Sequence, residues 1–272
     1  MPVALSKLLQ LVAFLAWAQA VPALGDTSLS GRAIMDAVAA RHERLFEASH
    51  AEMTLIAADG HKTKRALRGY ARREPDGRYR YLLTFTQPSS IAGVAMLAWD
   101  DPESGTDQWL FLPAAGAPKR VIGRARRDNF LDTGFALEDF RLGRRARHRY
   151  DRLADEEERG APCFVIDVTQ TDAAVSIQSG YARKRIYVDP RTYLIQRVDY
   201  YERGSERHLK TMLLLEVAEP VPGILRPKSY RMDNHKEQHA TAITVLAWSF
   251  AEASVPAEMF APRYLAARRH MR

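Results

Sequence analysis

Few residues of this chain have the types and spacing that catalysis needs. The sequence contains no G-x-S-x-G nucleophile elbow, no Gly-rich phosphate loop and no H-E-x-x-H zinc helix. The best remaining cluster is His235, Glu237 and His239, which would share one face of an extended segment and could there ligate zinc. These residues stand between two strand-like runs, so a polar hairpin connection explains them better. We therefore predict no catalytic residues, no metal, no cofactor and no enzymatic activity.

The single cysteine is the only other candidate for covalent chemistry. Cys163 lies inside the strand-like run Pro162-Cys163-Phe164-Val165-Ile166, where a small buried apolar side chain is the simpler interpretation than a reactive thiol. One cysteine cannot form an internal disulfide, so the stability of the fold must come from a packed core.

The N-terminal segment has the layout of a secretory signal peptide. Lys7 precedes the apolar run from Leu8 to Ala18, and small residues follow at Ala18-Gln19-Ala20 and Ala23-Leu24-Gly25. The run is about 11 residues long, whereas a membrane-spanning helix needs roughly 20. No cysteine follows the run to accept a lipid anchor. We expect residues 1–25 to be removed, with cleavage after Ala20 or Gly25, which leaves a soluble exported protein in the periplasm.

The charge of the chain indicates the kind of surface that it meets. The net charge is +7 at pH 7, and a basic exported protein meets anionic lipid head groups more readily than nucleic acid. Much of the charge lies between Lys119 and Arg149, a segment that interrupts the strand rhythm and holds a short helical stretch around Leu137-Glu138-Asp139-Phe140. It is either a solvated loop or a contact surface for head groups or an acidic partner. The arginines that we predict for such a contact are Arg124, Arg126, Arg127, Arg144 and Arg145.

Hydrophobic periodicity predicts one helix followed by a large antiparallel sheet. Ser28 or Ser30 can cap a helix over Gly31 to Ala48. From His50 onward the period changes to two, most clearly in residues 78–86, where one strand face is apolar and the other polar. Turn signals separate the runs. They are Asp59-Gly60, Pro75-Asp76-Gly77, Asp189-Pro190-Arg191 and Arg203-Gly204-Ser205. Residues 26–272 then form a single domain whose sheet curls, with the opening helix as a cover for its concave face.

The apolar faces of these strands allow two interpretations. A closed core would need them, and so would a cavity for an apolar ligand. The residues that would line such a cavity are Tyr79, Tyr81, Leu83, Phe85, Leu213, Leu215, Leu246 and Trp248.

An ordered series of short motifs resembles the LolA-like outer-membrane lipoprotein-sorting proteins. It begins at Asp76-Gly77-Arg78 and continues through Phe85-Thr86-Gln87-Pro88 and Asp107-Gln108-Trp109-Leu110-Phe111-Leu112-Pro113. Further matches cover the rest of the mature chain. They are Lys119-Arg120-Val121-Ile122, Phe130, Gly134, Phe135, Glu138-Asp139-Phe140, Pro162-Cys163, Phe260 and Tyr264-Leu265. The chain departs from the family pattern at Thr133-Gly134-Phe135-Ala136, where the family has Gly-Thr-Asp-Phe.

The resemblance implies an unclosed β-barrel of about 11 antiparallel strands, covered by helices, whose apolar inner face receives acyl chains. The expected function is then that of a periplasmic carrier of lipid or lipoprotein acyl chains in lipoprotein sorting or lipid transport. It would contact a membrane surface transiently, and its partner would be an RND-type inner-membrane exporter. Two alternatives stay open. One is an accessory periplasmic subunit of such an exporter without cargo, and the other is an outer-membrane β-barrel, whose signature is also alternating strands.

Overall fold

The computed structural model describes residues 28–271 except 102–104, 141–147, 173–175, 178 and 206. The predicted signal peptide lies outside these residues. Within them, helix α1 spans Gly31–His42 and helix α2 spans Pro262–Ala266. The strands are β1 (Phe46–Ile56), β2 (Lys62–Arg73), β3 (Tyr79–Gln87), β4 (Ala95–Asp101), β5 (Gly105–Phe111), β6 (Pro118–Arg120), β7 (His148–Arg152), β8 (Glu156–Glu158), β9 (Ala161–Gln170), β10 (Tyr181–Val188), β11 (Ile195–Glu202), β12 (His208–Val221), β13 (Ile224–Asn234) and β14 (His239–Ser249).

All the strands in the described part of the chain belong to one antiparallel sheet of fourteen strands. Its order is β6-β5-β4-β3-β2-β1-β14-β13-β12-β11-β10-β9-β7, with β8 paired to β9 outside this path. The first and last strands of the order, β6 and β7, do not pair with each other in the described residues, so the barrel is unclosed. The predicted fold class is confirmed. The expected count of about 11 strands was too low, and β6 and β8 are only three residues long, too short for an alternating pattern to reveal.

The predicted turns and the helix cap are confirmed, but the helix is shorter than expected. All four turn signals connect sequential antiparallel strands. The Ser30 side chain accepts a hydrogen bond from the Ala33 N–H at 3.2 Å and so caps α1. Instead of reaching Ala48, α1 ends at His42, because Glu43 is extended and Phe46 already pairs with Arg72 of β2. The apolar residues near the predicted helix end therefore belong to a strand.

The inner face of the sheet holds the larger hydrophobic core. Helix α1 covers it as predicted, in contact with β7, β9 and β13, and Ile34 of this helix is fully buried. The segment before β7 closes over the same face, where Phe130 packs against Phe85 with ring centroids 5.7 Å apart. A buried Gln108 fixes this segment by donating from Nε2 to the Leu137 carbonyl at 2.8 Å. The short helical stretch predicted at 137–140 is a single 3₁₀ turn.

The outer face of β3 to β5 is covered as well, which the sequence did not predict. We expected residues 78–86 to have one apolar face and one wet face, yet Leu82 is only 1% exposed and belongs to a second core. The C-terminal segment, residues 252–271, forms its cover. Phe260 and Leu265 pack there, and the Trp99 indole N–H donates to the Phe260 carbonyl at 2.6 Å. The face of β3 that was predicted to be wet is therefore buried at Leu82 and Thr84.

Stability should fall on mild acidification because the fold lowers the pKa of three histidines. Burial is the first cause that lowers the pKa of His42, His235 and His270 below the usual 6.5. Between these lowered pKa values and about 6.5, the unfolded chain binds more protons than the folded chain. The free energy of unfolding therefore has its full value above about pH 6.5 and decreases as the pH falls below it. We expect a lower melting temperature at about pH 5 than at about pH 7.5. Thermal unfolding followed by circular dichroism measures this difference in melting temperature.

His270 gives the most direct test of this dependence. Its ring is buried against Phe111, and Nε2 lies 2.9 Å from the Gly93 carbonyl oxygen. Replacement His270→Phe should reduce the pH-dependent part of the melting temperature, whereas His61→Phe in the exposed β1–β2 turn should leave it as in the wild type. Equal pH slopes in the two variants would show that burial of His270 does not contribute.

Candidate functional site

One patch of the inner face forms a cavity instead of a closed core. Residues directly opposite each other in an antiparallel sheet share a face. One such row runs Ser49, Gly69, Leu83 and Met96 across β1 to β4, and the next row runs Glu47, Ala71 and Tyr81. The two rows border a cavity of about 320 Å³, at the lower end of the usual range for small-molecule sites. Its wall consists of Glu47, Ser49, Gly69, Tyr70, Ala71, Tyr81, Leu82, Leu83, Met96, Asp139 and Phe140.

The cavity exists because the first two strands carry small residues where their neighbours carry large ones. Gly69 lies between Ser49 and Leu83, and a Cβ atom at residue 69 would come within 2.9 Å of Ser49 Oγ. Ala71 leaves similar room opposite Tyr81. At the next row along β3, Leu67 faces Phe85 and Phe130 packs on it, so the space is filled. The cavity therefore ends where large side chains resume.

Of the eight residues predicted to line a cavity, two of the β3 residues do so. Tyr81 and Leu83 are part of the wall. Tyr79 stacks on Tyr81 with ring centroids 5.8 Å apart, and Phe85 is buried in the core beside the cavity. These four residues share one face of β3, as the alternation predicted.

Three of the residues on β12 and β14 lie on the other face of the sheet or in solvent. Leu213 pairs with Arg197 and Arg231, and it is Met212 that packs on the inner core. Leu215 is 43% exposed beside a register shift. Leu246 is the extra residue of a bulge between β14 and β1 and is 67% exposed. The structure thus does not bring these three residues to the cavity.

Trp248 is placed differently, because it follows the bulge. The pairing of His50 with Ala247 and of Ala51 with Val245 leaves Leu246 unpaired. After this shift, Trp248 pairs with Ser49, a residue of the cavity wall. Trp248 therefore lies next to the cavity, although not in its wall.

An ion pair lies at the wall of the cavity and was not predicted from the sequence. Glu47 Oε2 accepts a hydrogen bond from Arg226 Nη2 at 2.8 Å, and the Arg226 side chain is only 6% exposed. Its guanidinium carbon lies 5.6 Å from the centre of the Phe250 ring. Sequence reasoning missed Glu47 because it placed this residue near the end of the predicted helix Gly31 to Ala48, whereas the structure has it in β1. The only signal was that β1 and β2 lack the apolar alternation of β3.

The segment between β6 and β7, which we call the insert, carries two acidic residues with a structural role. Glu138 accepts hydrogen bonds from Ser179 Oγ at 2.7 Å and from the Gly180 N–H at 2.8 Å. Asp139 Oδ2 accepts from Tyr181 OH at 3.0 Å and lies 3.3 Å from Lys210 Nζ, and its side chain is 2% exposed. These contacts hold the insert across β10 and β12, next to the cavity.

The predicted arginine contact surface is only partly available. Arg124 is exposed on the turn Gly123–Arg127. Arg126 Nη2 donates to the Thr106 carbonyl at 3.2 Å, and burial lowers the pKa of Arg126. Arg127 donates to the Ile177 carbonyl. Arg144 and Arg145 lie outside the described residues.

The histidine cluster considered for zinc is a hairpin connection, as predicted. The segment between β13 and β14 holds His235 and Glu237, and His239 Nε2 lies 2.9 Å from Glu237 Oε2. His235 Nε2 instead lies 2.9 Å from Thr211 Oγ1. In the part of the chain that the structure describes, no group of three or more His, Cys, Asp or Glu side chains has the arrangement of a metal site. Cys163 is buried, and burial raises the pKa of its thiol to about 11.

Neither helix of the described residues has the length and hydropathy of a bilayer-spanning segment. Comparison with curated protein sequences finds no match. Three solved structures are similar to the chain. An outer membrane lipoprotein-sorting protein domain from Vibrio parahaemolyticus is 26% identical with a TM-score of 0.79, over 87% of this chain and 98% of that one. A DUF1329 family protein from Desulfovibrio piger is 22% identical with a TM-score of 0.78, over 86% of this chain and 97% of that one.

The third is a LolA superfamily protein from Nitrosomonas europaea, which is 19% identical with a TM-score of 0.67, over 87% of this chain and all of that one. A family model described as "Uncharacterized protein" matches residues 77–267, more than half of the chain. The chain belongs to this family, and it has the LolA-like fold of outer-membrane lipoprotein-sorting proteins that its sequence motifs predict.

Proposed function

We propose that this protein is a periplasmic carrier that binds a lipid or lipoprotein acyl chain in the cavity between β1 and β4. The observation that carries the proposal is a largely apolar cavity on the inner face of a LolA-like sheet, with Tyr81 and Leu83 in its wall. Each methylene group removed from water contributes about 0.8 kcal/mol to the binding free energy. An acyl chain that is only partly enclosed is therefore held by burial alone. The signal-peptide pattern of residues 1–25 supports a periplasmic location.

The proposed partner is an inner-membrane exporter of the RND type, and the membrane surface is a transient contact. The exposed Arg124 and the basic sequence of residues 141–149 support an electrostatic contact, which would weaken with salt. Accessory binding to such an exporter without cargo is the alternative function. The cavity favours the carrier.

Native mass spectrometry separates the two functions. Mature protein isolated from cells under gentle conditions should carry one lipid or acylated peptide, seen as a mass above that of the polypeptide. Delipidated protein should bind the uncharged fluorophore N-phenylnaphthylamine and release it when lipid is added. The variant Leu246→Arg, at an exposed position outside the cavity wall, should behave like the wild type. Protein that is isolated without lipid and binds no fluorophore would be the accessory subunit instead.

A further inference from the structure

We infer that the cavity selects its ligand by the charge of the head group. It accepts acyl chains that are joined through an ester or amide to an uncharged head with hydrogen-bond donors, and it excludes the anion of a free fatty acid. This inference rests on the proposed carrier function, and it names the chemical class of ligand for the same cavity.

The first observation is that the buried cation at the cavity is matched by one carboxylate. Glu47 belongs to the cavity wall, and its Oε2 accepts from Arg226 Nη2 at 2.8 Å. Arg226 Nη1 also donates to the Leu225 carbonyl at 3.3 Å. Because Glu47 neutralises Arg226, the pair offers no net positive charge to an incoming carboxylate. Removing one partner of a buried pair leaves the other charge uncompensated.

The second observation is the electrostatic environment of the tyrosines beside Glu47. Burial is the main cause that raises the pKa of Tyr81 well above its usual value, followed by Tyr79 and then by the carboxylates Asp100, Glu43 and Glu47. Burial and then Glu47 raise the pKa of Tyr230 to about 12. Burial first, and nearby carboxylates second, disfavour a phenolate at these positions, and both causes also disfavour the carboxylate of a fatty acid.

The other cations that face this region are engaged. Arg73 Nη1 lies 3.7 Å from Glu43 Oε2, and its guanidinium lies 5.7 Å from the centre of the Tyr79 ring. Lys210 lies 3.3 Å from Asp139 Oδ2 on the insert side of the cavity. Arg73 and Lys210 thus each face a carboxylate.

Hydrogen bonding favours an uncharged head with donors. A carboxylate accepts several hydrogen bonds, and the Arg226 pair uses one oxygen of Glu47. Ser49, two residues along the same strand, presents a hydroxyl toward Gly69. Because Ser49 belongs to the cavity wall, its hydroxyl could donate to an ester or amide carbonyl. Donors and a carbonyl together are what a monoacylglycerol or an acyl amide supplies.

The test compares two ligands with the same acyl chain. Delipidated protein loaded with N-phenylnaphthylamine is titrated at about pH 8 with monododecanoylglycerol and with dodecanoate. The wild type should bind the neutral ligand at least roughly tenfold tighter, because a carboxylate that enters the cavity loses its water without meeting an unpaired positive charge. In Glu47→Gln, Arg226 is no longer neutralised, so dodecanoate should bind roughly tenfold tighter than in the wild type. The neutral ligand should gain nothing.

Glu52→Gln is the matched control. Glu52 lies on the same strand, is partly exposed and pairs with Lys64 Nζ at 2.9 Å, so its replacement removes one charge outside the cavity wall. Equal affinity of the wild type for both ligands, or Glu47→Gln titrations equal to those of Glu52→Gln, would overturn the inference while the carrier function stands. Absence of binding for both ligands and for the fluorophore would refute the carrier function itself. The wild-type comparison remains decisive even if Glu47→Gln does not fold.

Discussion

Replacing Leu83 by arginine is expected to abolish lipid binding in a folded protein, whereas replacing its neighbour Leu82 is expected to unfold the chain. The two residues are adjacent in β3 and point to opposite faces of the sheet. Leu83 is half-buried in the wall of the cavity, and Leu82 is 1% exposed in the core under the C-terminal segment. The same substitution therefore meets two environments within one strand.

The difference follows from where the guanidinium can go. At residue 83 the long side chain can extend through the cavity and keep its charge in water, so the free energy of unfolding should change little while the space for an acyl chain is filled. Residue 82 also borders the cavity, but its side chain is 1% exposed and packs in the second core, so an arginine there would bury an unpaired charge. Such a charge costs several kcal/mol, a large share of the stability of a domain. Circular dichroism and displacement of N-phenylnaphthylamine measure the two effects separately.

Leu82→Ala gives the apolar control, since it leaves a void without burying a charge and should cost about 2–5 kcal/mol. If Leu83→Arg unfolds as Leu82→Arg does, the space around Leu83 is a closed core, and the carrier function loses its cavity. If both variants fold and bind lipid, the assignment of the two faces of β3 is wrong.

Leu265→Ala is expected to lower the free energy of unfolding by about 2–5 kcal/mol, although the residue is not part of the cavity wall. Leu265 is fully buried in the second core, together with Val255 and Phe260 of the same C-terminal segment. This segment covers Leu97 and Phe111 on the outer face of the sheet. Loss of the Leu265 side chain creates a void and weakens the packing of the C-terminal segment over the apolar strands. The strands then become prone to aggregation.

Arg263→Ala on the same short helix provides the control, because Arg263 is exposed and surface substitutions usually change stability by less than about 0.5 kcal/mol. Urea denaturation should show a lower midpoint for Leu265→Ala than for Arg263→Ala. Below the transition, both variants should bind the neutral acyl ligand as the wild type does, because the C-terminal segment and the cavity lie on opposite faces. Equal midpoints would mean that the segment contributes no packing energy.

Local patterns in the sequence were sufficient for the class of fold and for much of its order. Alternation of apolar residues predicted β3 because one face of this strand does line the interior, and the Gly-, Pro- and Asp-containing turns connect sequential strands as expected. Ser30 marked the beginning of α1 through a hydrogen bond to a residue three positions away. These features depend on contacts within a few residues, which a sequence displays directly.

The tertiary structure alone decided which strand faces form the cavity. A bulge at Leu246 changes the face of every residue after it, and the register of β12 turns Met212 inward and Leu213 outward. The cover over Leu82 comes from residues about 170 positions later in the chain. The cavity depends on the absence of large side chains at Gly69 and Ala71. An ion pair also lies at its wall, between Glu47 and Arg226, which are 179 residues apart. Periodicity within one strand carries no information on bulges, distant covers or small residues that face each other, because each of these is a relation between strands.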